Sequence, residues 1–173
     1  MEEGKRPDSE GADLVEVLYK EYFPTIYRLG FRLLGNSEQA LDLTQEVFLK
    51  LYRRLNGGPP VTEIKGWLYR TAANLSYDWL RRKCRFQKIS ASRLERTEKD
   101  VEQELIDAEA IQAVREALEQ LPPRDRILLV LYLDELSYDE ISNATGFRKS
   151  SVGTFISRAI NRLAKELEKG EKP

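Results

Sequence analysis

Apolar residues recur at intervals of three and four along most of this chain, the periodicity of amphipathic helices rather than strands. Between Asp13 and Leu34 the stripe is Leu14, Val17, Leu18, Ile26, Leu29 and Leu33, and Pro24 predicts a kink or junction within it. Gly35-Asn36-Ser37 offers a stop followed by a cap. Ala40, Leu43, Val47, Leu51 and Leu55 then form the stripe of a second helix, which Asn56-Gly57-Gly58-Pro59-Pro60 ends. A third predicted helix opens near Thr62 or Glu63, with Leu68, Ala72, Leu75 and Trp79 at helical spacing, and runs into a basic cluster from Arg81 to Arg85. These three helices predict a first small domain, residues 1–90.

The next stretch, residues 91–107, is polar and acid-rich and has no strong stripe, so it reads as a linker. A second helical domain, 108–173, follows. Ile111, Val114, Leu118 and Leu121 face one way, and Pro122-Pro123 breaks that helix. The run from Ile127 to Leu133 (ILLVLYL) is too apolar for an exposed helix and predicts the buried centre of the domain, helical because its flanks are helical. Ser137-x-x-Glu140 is a capping box that opens a short helix with Ile141 and Ala144 inward. Thr145-Gly146-Phe147 is the turn, with Gly146 able to take positive φ. Ser150 or Ser151 is expected to cap the last helix, whose inner stripe is Val152, Ile156, Ala159, Leu163 and Leu167. The fold class expected is therefore all-α, two small helical domains joined by an acidic linker.

Composition removes several classes of chemistry. The 173 residues include no histidine and one cysteine, Cys84. An intramolecular disulfide, a Cys/His zinc site and serine–histidine or cysteine–histidine catalysis are all excluded. Cys84 stands among Arg81, Arg82, Lys83 and Arg85, which would favour a thiolate, but it reads as an ordinary helix-face residue. The acid pairs Asp134-Glu135 and Asp139-Glu140 lack an oxygen-ligand loop, and the second pair is accounted for by its place at a helix start. No metal or other cofactor is expected, and the chain does not read as an enzyme. No apolar run approaches the ~18–20 residues that span a bilayer, and the polar start lacks a signal-peptide core, so a cytoplasmic protein without membrane insertion is expected.

Charge is distributed unevenly behind a net value of −1. Lys65 to Lys88 holds seven basic residues against one acid, Leu94 to Glu109 seven acids against two bases, and Gly146 to Lys169 six bases against two acids. Two cationic segments flanking an anionic spacer suggest two separate polyanion contacts. The last two helices have the form of a helix-turn-helix, in which the second helix enters a DNA major groove. Its outward positions are Lys149, Ser150, Gly153, Thr154, Ser157, Arg158, Asn161 and Arg162, with Arg148 just before it. In the first domain, KGWLYRTAANLSYDWLRRKCR interleaves Trp67, Tyr69, Tyr77 and Trp79 with Arg70, Asn74 and a basic end, a pattern suited to stacking unpaired bases while cations track phosphates. Trp67 and Trp79 read as core; Tyr69, Arg70, Asn74 and Tyr77 fall off the apolar stripe. In DLTQEVFLKLYRRL, Asp42, Gln45, Glu46 and Leu49 stay off the inner face, and an exposed leucine beside carboxylates suggests a partner helix.

Taken together, DLTQEVFLKLYRRL, GWLYRTAANLSYDWLRRKCR and LEQLPPRDRILLVLYLDELSYDEISNATGF resemble a bacterial sigma factor of the extracytoplasmic-function type, over about residues 12 to 168. The resemblance implies a promoter-specificity subunit of RNA polymerase with sigma domain two in the first half and sigma domain four, the helix-turn-helix, in the second. It implies that Asp42, Gln45, Glu46 and Leu49 dock on the β′ coiled coil of core polymerase, with further contacts to the β subunit. It implies minus-ten recognition and melting by Lys65, Tyr69, Arg70, Asn74, Tyr77, Arg81 and Arg82. It implies minus-thirty-five recognition by Arg148, Lys149, Ser150, Gly153, Thr154, Ser157, Arg158 and Arg162. The linker would thread the polymerase, and an anti-sigma factor is a further partner common in the family. The sequence departs from the family where Arg148 replaces a common proline and where Gly153, Thr154 and Phe155 replace a basic-Ser-Arg run, which suggests a different preferred promoter. The competing readings are a stand-alone helix-turn-helix regulator that binds duplex DNA as a dimer, and a protein-interaction module such as a sigma inhibitor. The aromatic-basic helix argues against the latter, and a hydrolase lacks any nucleophile–base pair.

Overall fold

The computed structural model describes residues 7–58, 61–89 and 107–170, with side chains described within 14–58, 61–85 and 111–170. Among these residues there are seven helices and no strand: α1 (Pro7–Leu34), α2 (Ser37–Leu55), α3 (Ile64–Ile89), α4 (Asp107–Gln120), α5 (Pro123–Leu133), α6 (Tyr138–Thr145) and α7 (Lys149–Gly170). Apart from Asp107, the expected acidic linker lies outside the described residues.

The helix breaks are local chemistry. Gly35 follows α1 at φ 72°, and its N–H bonds the Phe31 carbonyl at 2.8 Å. Asn36 then caps α2, its side chain accepting from the Gln39 N–H at 2.9 Å. The Glu63 carbonyl receives the Trp67 N–H at 2.9 Å and starts α3. Pro24 lies inside α1 and makes no junction there: the helix is continuous from Pro7 to Leu34. Pro24 is exposed, so the one backbone rung it deletes faces water, while Ile26, Leu29 and Leu33 hold the next turns in the core.

Leu43, Val47 and Leu51 of α2 are fully buried against Ile26, Leu29 and Leu33 of α1 and Leu68 and Ala72 of α3. In the second half, Ile127 to Leu131 of α5 are buried as expected, but Tyr132 and Leu133 at its end are exposed. The apolar run therefore overstates burial by its last two residues, which turn outward as the chain leaves the helix at Asp134. Ile111 and Val114 are also exposed, while Leu118, with Leu121 just after the helix, seats α4 against Leu129 and Ala159.

The two halves are not separate beads. One buried cluster contains α1–α3 residues together with Ile127, Leu128, Leu131, Leu136 and Ile141. α3 packs on both α5 and α6, and α1 on α5. The Arg126 side chain of α5 is buried, with its guanidinium toward Glu119 of α4 and Cys84 of α3, and burial pulls its pKa below the usual arginine range.

Candidate nucleic-acid interface

The helix-turn-helix is held by short-range hydrogen bonds. Ser137 N–H donates to Glu140 Oε2 at 2.8 Å, and Glu140 N–H donates to Ser137 Oγ at 3.3 Å, so both ends of the capping box are closed. Gly146 stands at φ 76°, and its N–H reaches the Ser142 carbonyl at 2.8 Å. Ser142 Oγ donates to the Phe147 carbonyl at 2.7 Å, which fixes the exit from the turn. Phe147 stacks at a tilt on Phe155, ring centres 4.8 Å apart, while Val152, Ile156 and Ala159 are buried. α7 begins at Lys149, so Ser150 and Ser151 lie in its first turn and neither precedes it as a cap. The Arg148 carbonyl instead receives the Ser151 N–H at 2.8 Å.

This anchoring leaves Arg148, Lys149, Ser150, Thr154, Ser157 and Arg158 exposed, with Asn161 and Arg162 further along. They are not equivalent. Lys149 is paired with Asp139 at 2.6 Å, and Arg162 is paired with Asp125 of α5. Ser157 Oγ is turned back onto the Gly153 carbonyl at 3.0 Å. Gly153 is half-buried beneath the Tyr138 ring.

On α3, Arg70, Asn74, Arg81 and Arg82 are exposed, and Arg82 Nε donates to the Asp78 carbonyl at 3.2 Å. Tyr69 is not on the outer face: only 5% of it is exposed, and desolvation raises its phenol pKa. A tyrosine three or four residues from stripe positions sits at the stripe's margin, and here a second layer of helices covers that margin. Tyr77 is half-buried, with the Arg124 guanidinium of α5 5.7 Å from its ring centre and Arg81 6.0 Å away. Arg124 also stands 6.0 Å from the Phe147 ring, so one cation bridges α3 and the turn of the helix-turn-helix. Lys65 Nζ binds Glu140 Oε1 at 2.8 Å, which ties α3 to the capping box of α6. That bond, with the Ser137 donors, holds the Glu140 carboxyl down at about 2. Arg32 of α1 pairs with Asp134 in the same seam. Trp67 and Trp79 pack half-buried against the core, as expected.

On α2, Asp42, Gln45 and Leu49 are exposed, Leu49 by 54%, and Glu46 lies 3.7 Å from Lys50. Leu41 and Tyr52 are exposed beside them, which extends the apolar part of the face along positions 41, 45, 49 and 52. Leu41 continues the i, i+4 spacing of Gln45 and Leu49, and Tyr52 follows Leu49 at i+3. Arg124 carried no signal in sequence, since its partners lie 47 residues before and 23 after it.

Residues 18–86 match the family model of Sigma-70 region 2, and residues 111–163 match that of Sigma-70 region 4. The ECF RNA polymerase sigma factor SigE of Mycolicibacterium smegmatis is 33% identical over 88% of this chain, which spans 61% of that protein's length. RNA polymerase sigma factor YlaC of Bacillus subtilis is 32% identical over 91% of this chain and 94% of its own. SigW, an ECF sigma factor of the same organism, is 30% identical over 94% and 92%. Among solved structures, the sigma factor RpoE of Bartonella quintana, crystallised with the anti-sigma factor NepR, superposes with a TM-score of 0.67 over 91% of this chain and 98% of that one, at 21% identity, which speaks to the fold. With both regions matched in order and relatives aligned over most of its length, the chain belongs to the extracytoplasmic-function (ECF) sigma factors, non-enzymatic subunits that direct RNA polymerase to initiate transcription.

Proposed function

We propose that this sigma factor reads a promoter at two places and docks on core polymerase at a third. The exposed face of α2, Asp42, Gln45, Glu46 and Leu49 with Leu41 and Tyr52, meets the β′ coiled coil, and domain four meets the β subunit. An apolar strip rimmed by carboxylates fits a helical partner that presents leucines and basic residues.

Arg70, Asn74, Arg81 and Arg82 contact the minus-ten strand from the exposed side of α3. Lys65, Tyr69 and Tyr77 join them once domain four leaves the seam, since Glu140 and Arg124 occupy the space where bases and phosphates would lie. Stacking on the released rings offsets the loss of base pairing during melting.

The observation that carries the duplex reading is the buttressed α7, with Arg148, Thr154 and Arg158 exposed on a helix fixed by a closed capping box and a left-handed glycine turn. Those side chains reach base edges of the minus-thirty-five element, while Ser150, Lys149 and Arg162 serve phosphates. The work is done in the cytoplasm, where core polymerase and promoters are. An anti-sigma factor would act on the same faces.

Run-off transcription with bacterial core polymerase on a randomised promoter library tests this. Initiation that depends on both a minus-ten and a minus-thirty-five sequence is expected. Initiation indifferent to the upstream element would overturn the role given to α7.

A further inference from the structure

A glycine in the middle of an exposed helix costs about 1 kcal/mol relative to alanine, so its presence calls for a reason. Gly153 is such a residue. It does not need positive φ, which among the described glycines is confined to Gly35, Gly57 and Gly146. What it does meet is an aromatic ring. A Cβ at position 153 would stand 3.3 Å from Tyr138 Cε2, 3.6 Å from its hydroxyl oxygen and 3.7 Å from Cζ. The ring of Tyr138, the first residue of α6, therefore lies over the α7 backbone in the volume that a side chain at 153 would fill.

The surroundings hold the ring there. Gly153 belongs to the outward row Lys149, Gly153, Ser157, one helical turn apart. Lys149 is drawn toward Asp139, the residue after Tyr138, by the 2.6 Å ion pair. Ser157 Oγ bonds the Gly153 carbonyl at 3.0 Å and closes the other end of the slot. Tyr138 remains 44% exposed, so part of the ring is open to solvent beside position 153, and Thr154 and Arg158 of the same helix as Gly153 are exposed as well. It is a two-torsion aromatic fixed on a rigid helix, with no long cation beside it at 153.

We infer that Tyr138, seated on Gly153, is a specificity-determining residue of the minus-thirty-five interface, and that its apolar edge selects thymine through the C5 methyl at the base pair residue 153 faces. This rests on the reading of α7 as the base-reading helix. The chemistry follows from what is missing as much as from what is present. A lysine or arginine at 153 would favour the guanine O6 and N7 acceptors, and here that position has no side chain. An aromatic edge has no such pairing with guanine but gains contact with the thymine methyl, the one apolar feature of the major groove.

Holoenzyme reconstituted with this chain and its variants is tested on a library randomised over the minus-thirty-five element, with the base profile as the readout. The wild type is expected to prefer thymine at one position by about 5-fold, the low end of the cost of a mismatched pair. Tyr138→Phe keeps that preference. Tyr138→Ala flattens it while preferences elsewhere stay. Gly153→Lys displaces the ring and moves the preference toward guanine at the same position. If Arg158→Ala changes the profile but Tyr138→Ala and Gly153→Lys do not, this inference is wrong and the reading of α7 stands. If none of the three changes it, both fall. Melting curves accompany each variant. Should Tyr138→Ala prove unstable, Gly153→Ala, whose Cβ crowds the ring at 3.3 Å without adding a donor of its own, decides instead, and an unchanged base at that position overturns the inference.

Discussion

Replacing Glu140 by glutamine separates two roles of one carboxylate. Its Oε2 takes the Ser137 N–H and hydroxyl, each at 2.8 Å, and its Oε1 takes Lys65 of the other domain at 2.8 Å. Glutamine retains an acceptor for the Ser137 N–H, since a capping box accepts either residue, but loses the charge facing Lys65. The drop of the carboxyl from 4.5 to about 2 would correspond to roughly 3 kcal/mol at about 1.4 kcal/mol per unit, shared between Lys65 and the Ser137 donors. The side chains of Lys65 and Glu140 are 53% and 37% exposed, however, and screening at that exposure reduces such a pair to about 0.5–1 kcal/mol. Glu140→Gln should therefore shift the balance between packed and parted domains by about 2- to 5-fold, with little change in melting temperature. Glu140→Ala also loses the cap, at a further cost of about 1 kcal/mol, and should melt earlier. Spin-label distances between Arg53 on α2 and Lys165 on α7, both exposed, in a Cys84→Ser background, report the parted population. The pH dependence has a definite sign. The Ser137 donors stay with Glu140 in both forms, so only the part of its pKa depression due to Lys65 favours the packed form. That part is present at neutral pH and is lost as pH falls through the acid range toward about 2. Wild type should therefore part over that window, and Glu140→Gln should lack that component. If the glutamine variant matched wild type in distances at low ionic strength and in its acid response, the Lys65 pair would not be holding the domains together.

Three other substitutions test separate links. Leu49→Ala, at a 54% exposed position, should weaken binding to core polymerase by about 1–2 kcal/mol without lowering the melting temperature, as measured by titration with labelled core. Arg158→Ala should cost about 1–3 kcal/mol of promoter binding in holoenzyme and relax preference at one minus-thirty-five base; an even loss over all sequences would make it a phosphate contact. Gly35→Ala forces a non-glycine residue to φ 72° and brings a Cβ within 2.8 Å of Glu119 Oε1, so denaturant unfolding should show a loss of about 1–2 kcal/mol.

Features that depend on neighbours in sequence were readable before the structure. The Ser137–Glu140 box, the Gly146 turn, the Asn36 cap and the buried stripe of α2 are each set by residues within one or two helical turns of one another. The same is true of the exposed α2 face, since a residue off the stripe of a two-helix contact stays exposed unless a third element covers it. α3 is where that logic failed. Tyr69 and Tyr77 are off the α1–α2 stripe, but α5 and α6 cover them, and nothing in a local period announces a second layer. Tyr138 was missed for a related reason. Its signal was the helix-interior Gly153, and a missing side chain reads as a loss until the ring that fills its place is seen.

The ion pairs show that several cations of this chain, whose net charge is −1, are already engaged. Lys65, Arg32, Lys149 and Arg162 are each matched by one carboxylate, respectively Glu140, Asp134, Asp139 and Asp125, and all four acids come from α5, α6 or the turn between them. On the reading proposed above for Lys65, Lys149 and Arg162, these acids would stand where DNA phosphates come to lie. DNA approaching a bare cation gains the full attraction, whereas DNA approaching one of these four must first displace an anion already in place, so the net gain is the difference between two similar terms. Two of these contacts, Lys65–Glu140 and Arg32–Asp134, also join the domains, so displacing them would loosen the seam that covers Tyr69. If the proposed minus-ten reading holds, binding of phosphate and exposure of the stacking rings would be the same physical event seen from two sides of α3, and a partner that already held the domains apart would remove that cost in advance.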